Sequence, residues 1–252
     1  MNLEKYDYIL SLGTFFEKKD LFENIKKVSN FTYMHPIDKA NLKEFYSQFI
    51  KYEVGSEEAV LALVLYFFTN NRTKELEDYL EELDIGYLSA ESSCGEEEFE
   101  DSFELFKKAS NRALILGDDL INHQNIGNIL AILKNIEKYS DFELIFTNKK
   151  LEDSFKNHSN FIPNEPEELK SFNGTILYFL DDSSIGTNLI ASQTFLNIAK
   201  LNDKDFVSFS INNKEYKKQI ILDKNLLGTI ALINEDISTY SFSKVVLKKE
   251  EI

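Results

Sequence analysis

The sequence predicts an α/β protein: two Rossmann-like β-Gly-α-β units with intervening helices, followed by a small antiparallel β-barrel-like C-terminal part. Three observations predict it. "YDYILSLGTF" and "RALILGDDL" are each a continuous apolar run closed by one glycine. Each is followed by a helical segment and then a second apolar strand, "FTYMHP" in the first unit and "FELIFT" in the second. Beyond residue 185 the pattern changes to short runs with a period of two. Continuous apolar strands are covered on both faces, as parallel strands are, whereas alternation marks strands with one wet face. The expected division is therefore a domain over 1–185, with units at about 6–90 and 111–185, and a β-rich domain over 186–252.

The elements follow in order. After the first glycine, Gly13, a helix is expected around Lys18 to Val28. Lys39 to Ile50 also has helical spacing. "SEEAVLALVLYFF" reads as a buried helix capped by Ser56, with Glu57 and Glu58 in its first turn, where acids suit the helix dipole. Thr73 to Leu83 reads as an acidic surface helix. In "GEEEFEDSFELFKKAS" the residues Phe99, Phe103 and Phe106 share a face, with acids at the start and Lys107 and Lys108 at the end. The helix around Asn125 to Tyr139 places Ile126, Ile129, Leu130, Leu133 and Ile136 on one stripe, the spacing of a helix lying on a sheet. The segment "NFIPNEPEELKSFNG" reads as a loop before the strand at Thr175. Asp205 to Ile211 alternates, and Asn212-Asn213 supplies a tight hairpin turn.

Composition excludes several functions. The net charge is −15, so phosphate backbones and anionic lipid surfaces are repelled; nucleic acid and membrane insertion are not expected. The longest apolar run, Ala59 to Phe68, is far short of the roughly 20 residues that span a bilayer. A single cysteine, Cys94, allows no internal disulfide and no cysteine-held cluster, which suits a reducing cytoplasm.

The turn after "RALIL" has the shape of a nucleotide-binding turn. Such a turn needs glycines for the bend, for the approach of the pyrophosphate and for helix packing. Here only Gly117 is present, and Asp118 and Asp119 follow it. Their carboxylates stand where a phosphate would sit. Asp118, Asp119 and His123 are ligand types for a metal, but no second cluster joins them, and helix capping accounts for the acids. Cys94 precedes a helix, where a thiolate is favoured, yet Glu96 to Glu98 oppose it. His35 and His158 are isolated. No catalytic, cofactor-binding or metal-binding residue is assigned, and no cofactor is expected. Lys214, Lys217 and Lys218 in "NKEYKKQ" are the candidate partner-docking residues, along with Lys244, Lys248 and Lys249.

"KYEVGSEEAVLALVLYF", "GYLSAESSCGEEEF" and "ALILGDDLINHQNIGNILAIL" resemble the molybdopterin-oxidoreductase-like region of the large iron–sulfur subunit of bacterial respiratory complex I, the NADH:quinone oxidoreductase. The tail "SQTFLNIAKLNDKDFVSFSINNKEYKKQIILDKNLLGTIALI" is similar to the small barrel that closes such proteins. At Asn202-Asp203-Lys204-Asp205-Phe206-Val207 the glycine of the family's turn is missing, and so are the cysteines that hold the family's clusters. The resemblance implies a non-catalytic, cofactor-free scaffold subunit of a complex I-type assembly, peripheral on the cytoplasmic face of the inner membrane. It implies partners among the other peripheral-arm subunits, especially the large iron–sulfur subunit, and a small electron-carrier protein as a further partner. The alternative is a flavin- or nucleotide-binding electron-input subunit standing in for the NADH-oxidising module.

Overall fold

β1 (Tyr8–Leu12) carries five buried residues in a row and forms the centre of a five-stranded, wholly parallel sheet. The computed structural model describes residues 2–168, 172, 174–235 and 239–250. α1 (Lys19–Ile25) leads from β1 to β2 (Asn30–Met34), and β3 (Gln48–Ile50) lies beyond β2. Four helices follow: α2 (Glu57–Phe68), α3 (Lys74–Glu82), α4 (Ile85–Ser92) and α5 (Glu96–Lys108). The chain returns as β4 (Arg112–Leu116), then α6 (Ile126–Tyr139), β5 (Phe142–Phe146) and α7 (Lys149–Asn157). The strand order is β3-β2-β1-β4-β5, so the direction of winding reverses between β1 and β4.

Most of α2 is buried, from Glu57 to Leu65 and again at Phe68, so it is wrapped by protein as its unbroken apolar sequence requires. Phe68, Phe106 and Phe142 meet within 5.4 Å between ring centres and join α2, α5 and β5. The expected stripe on α6 is inward at Ile129, Leu130, Leu133 and Ile136, with Ile126 half-buried. On α5, Phe99 and Phe106 are buried and Phe103 is half-buried.

Three local expectations are corrected. The stretch from Lys39 to Ile50 is a single 3-10 turn at Ala40–Leu42 followed by β3, not a helix. Phe49 stacks on Tyr33 at 5.5 Å and Tyr46 stacks on both, so stacking on β2 overrides the helical spacing. Ser56 stands at the N-cap of α2, but its hydroxyl donates to the Glu53 carbonyl at 2.6 Å and caps no amide. α4 and α7 add helices that the periodicity did not mark; each starts at an acceptor side chain, Asp84 for Tyr87 N–H and Asn148 for Lys150 N–H.

The second sheet is built from β6 (Thr175–Leu180), β7 (Leu189–Ala191), β8 (Phe206–Ile211), β9 (Lys214–Leu222), β10 (Ile230–Asn234), β11 (Phe242–Val245) and β12 (Lys248–Lys249), with α8 (Gln193–Ala199) between β7 and β8. Its order is β11-β6-β10-β7-β9-β8-β12. β11 at one end comes against β8 near the other, so the sheet curls on itself in the expected barrel-like manner. It is mixed: β6 with β10 and β7 with β9 are parallel, the remaining pairs antiparallel. Val207, Phe209 and Ile211 of β8 point inward, as their alternation predicts, and Asn212 and Asn213 both adopt positive φ in the hairpin turn to β9.

The chain divides into two compact units, one of Met1–Pro36 with Glu44–Lys170 and one of Ile37–Lys43 with Ser171–Ile252. This differs from the expected boundary at 185/186. "TILYFL" falls within the expected first domain, but its hydrogen-bonded neighbours are β10 and β11. The loop expected over 160–174 has no regular secondary structure through Glu168; residues 169–171 and 173 lie outside the described residues. Among the described residues no helix is long and apolar enough to cross a membrane.

Candidate functional site

Open parallel sheets bind ligands outside the carboxyl ends of their strands, where the winding reverses. In this chain that place lies between β1 and β4, at the turns holding Gly13 and Gly117. Gly13 has φ of +66°, a value a side chain would disfavour. Gly117 has an ordinary negative φ, and what it needs is space. A Cβ there would fall 1.8 Å from the Gly13 carbonyl oxygen and 2.4 Å from Thr14 Oγ1. The two turns are bonded to each other: Gly117 N–H donates to Leu12 O at 2.9 Å, and Asp119 N–H to Gly13 O at 3.2 Å. The missing side chain at Gly117 therefore lets backbone approach backbone. In a dinucleotide site the same absence admits a pyrophosphate.

The adjacent acids take opposite directions. Asp118 is exposed; it accepts from Thr147 Oγ1 at 2.9 Å and pairs with Lys18 at 3.6 Å. Asp119 is 1% exposed and its Oδ2 lies 3.0 Å from Nε2 of the fully buried His35. His35 is itself stacked on Tyr33 and flanked by Phe15. Sequence reading gave His35 no role; a histidine at the end of one strand and an acid past the end of another, 84 positions away, carry no local signal of each other.

A second buried histidine stands nearby along the chain. Asn125 N–H donates to His123 Nδ1 at 3.1 Å, so that nitrogen is unprotonated and the ring hydrogen sits on Nε2. Nε2 faces the Gly55 carbonyl at 3.2 Å and Glu57 Oε2 at 3.5 Å. Burial pulls the His123 pKa below its ordinary value, against the opposing pull of the Gly55 carbonyl and of Glu58 and Glu167. Burial also raises the Tyr52 hydroxyl well above the usual phenol value, helped by the negative fields of Glu57 and Asp119.

These groups occupy the ligand position with acids already engaged by side chains of the protein. A phosphate at this turn would face the exposed Asp118 carboxylate and find the Gly117 and Asp119 amides already bonded. Asp118, Asp119 and His123, weighed together as metal ligands, turn to three different partners, and no group of three or more metal-binding side chains exists among the described residues. Cys94 is buried and its thiol is pushed up to about 12, first by burial and then by Glu98 and Glu53. A thiol raised in this way keeps its proton at neutral pH. His158 ends α7, its amide bonded to the Phe155 carbonyl.

The candidate docking lysines do not form one basic patch. Lys218 is 6% exposed, on the inward face of β9, and bonds Glu235 at 2.7 Å. It is removed from the docking set, because the alternation that sends Lys217 outward sends Lys218 in. Lys214 reaches the same Glu235 at 3.9 Å, and Lys217 pairs with Glu250 at 3.0 Å. Lys249 pairs with Asp205 at 2.8 Å, while Lys244 and Lys248 are exposed.

Comparison with models of known protein families and with curated proteins gives no match to this chain.

Proposed function

We propose that this chain is a non-catalytic scaffold subunit of a respiratory NADH:quinone oxidoreductase-type (complex I) assembly, built on a cofactor-free molybdopterin-oxidoreductase-like fold. In this reading it belongs to the peripheral arm on the cytoplasmic face, against the large iron–sulfur subunit, and contributes surface in place of chemistry. The observation that supports it most is the closure of the β1/β4 edge, where the Gly13 and Gly117 turns bond each other. A curled C-terminal sheet after an α/β unit also suits the order of parts in that family.

The paired lysines of β9 argue against docking an acidic electron carrier there, since Glu235 and Glu250 cancel much of their field. The test is mild detergent solubilisation of native membranes and recovery of the tagged chain. Quinone-reducing complex I subunits in fixed ratio are expected; a chain recovered alone overturns the assignment. Titration of the purified chain with flavin and NADH, followed by fluorescence, is expected to give no saturable binding. A tightly held flavin would favour the electron-input alternative.

A further inference from the structure

Residues 160–168 form a strap without regular secondary structure that leaves two large apolar side chains facing solvent. Pro163 and Pro166 are buried, while Phe161 is 51% exposed and Ile162 is 75% exposed. The two prolines are the residues that turn inward over this stretch. The backbone is held by side chains of the helices beneath. Asn128 forms a two-way bond with Asn164, accepting from its N–H at 2.7 Å and donating to its carbonyl at 2.9 Å. Asn135 donates to the Phe161 carbonyl at 2.8 Å, and Tyr79 donates to the Asn164 carbonyl at 3.2 Å. The buried Glu58 accepts from Glu167 N–H at 3.2 Å and from the side chains of Asn125 and Asn128. Asn160 accepts from Ile162 N–H at 3.1 Å. A loop tip would be free to turn two large apolar side chains inward. This one is fastened so that they stay out.

We infer that the Phe161–Ile162 pair on this fastened strap is a preformed docking ridge for a partner protein that offers an apolar cleft rimmed by lysine or arginine. Charge selects the partner. Glu165, Glu167 and Glu168 follow the ridge and are exposed. Three to six residues separate these acids from Ile162, and a chain reaches at most about 3.3–3.6 Å per residue, so the basic rim lies within roughly 20 Å of the Ile162 pocket. A second copy of this chain, at net charge −15, is repelled, as are anionic lipid and nucleic acid. Because the strap is already ordered, little conformational entropy is lost when the ridge is covered. The inference adds a surface to the scaffold reading and stands apart from the identity of the assembly.

The test places a photo-reactive benzoylphenylalanine at position 162 in the full chain, in cells of the native organism, with the same group at exposed Tyr87 and Leu227 as controls. The expected result is a crosslink at 162 to one protein, at least ~10-fold stronger than at either control. The joined peptide, identified by mass spectrometry, holds apolar residues flanked by lysine or arginine. Asn128→Ala, which loosens the strap and leaves the ridge side chains intact, is expected to lower that yield several-fold. A crosslink to a second copy, to lipid, or to nothing above the controls overturns the inference. So does a joined peptide without basic neighbours. If the partner is a complex I subunit, both readings stand; if it is another protein, the scaffold reading falls and the ridge remains.

Discussion

His35 with Asp119 and Lys218 with Glu235 are both acid–base contacts drawn out of water, and they are enclosed to different degrees. The first joins the carboxyl end of the parallel sheet, with both side chains at 0% exposure. The second joins β9 to the residue after β10 in the curled sheet, with Glu235 still 23% exposed and Lys214 as a further neighbour. An enclosed contact has no water to take over when one member is lost. A contact at a sheet rim has water and other side chains to fall back on. The polar groups of the first unit are thus part of its packing, and those of the second are closer to surface chemistry.

The sharpest way to break this contrast is at Gly117. Gly117→Ala should cost at least ~4 kcal/mol, because the new methyl would overlap the Gly13 carbonyl and the Thr14 hydroxyl, and that carbonyl is held by the Asp119 N–H. Gly127→Ala, in α6 with nothing within 4 Å, should instead gain up to about 1 kcal/mol. Urea unfolding midpoints measure both, and an unaffected Gly117→Ala would refute the closed edge. Next comes removal of the base from each contact. His35→Ala should lose about 3–5 kcal/mol, since it strips a partner from a wholly buried carboxyl. Lys218→Ala should lose about 1–2 kcal/mol, since Glu235 keeps solvent and Lys214. Equal losses would erase the contrast.

A smaller effect comes from pH. The folded pKa of His123 lies below the unfolded value of about 6.5. As pH falls through the unfolded value, the unfolded chain takes up a proton that the folded chain refuses, so stability declines on the acid side and is fully present above it. His123→Asn should flatten the stability curve between about pH 6.5 and 5. An unchanged slope would mean that His123 is not the group responsible. The smallest effect belongs to Cys94: at pH 8 the native thiol should resist a thiol-reactive dye that labels the unfolded chain rapidly. Rapid labelling of native protein would show that the thiol is not enclosed.

The β-Gly-α-β units were legible because their strands are unbroken apolar runs and their helices carry one stripe. The hairpin at Asn212-Asn213 was legible because few residue pairs accept positive φ twice. What could not be read was pairing. "TILYFL" looks the same in either sheet, and only its bonds to β10 and β11 place it. The Lys39–Ile50 stretch has helical spacing, yet Tyr33 captures Tyr46 and Phe49 by stacking. The candidate site divides likewise. That Gly117 is followed by acids was visible, but that Asp119 finds His35, and Gly117 finds the Gly13 carbonyl, depends on strands brought together from far apart. The lysines of β9 could be counted in the sequence, and their inward or outward direction follows from strand alternation once the register is known.

The placement of β1 also fixes a timetable. Tyr8 pairs with Asn30 on one side and with Arg112 on the other. During synthesis the first partner emerges almost at once, while the second emerges on the order of 5–20 s later at ordinary rates of elongation. Through that interval the strand running from Tyr8 to Leu12 has one open, apolar edge, the kind that attracts other chains. A growing chain of this protein therefore needs cover for its first strand long before its last one exists, and a ribosome stalled ahead of Arg112 would leave a fragment prone to associate.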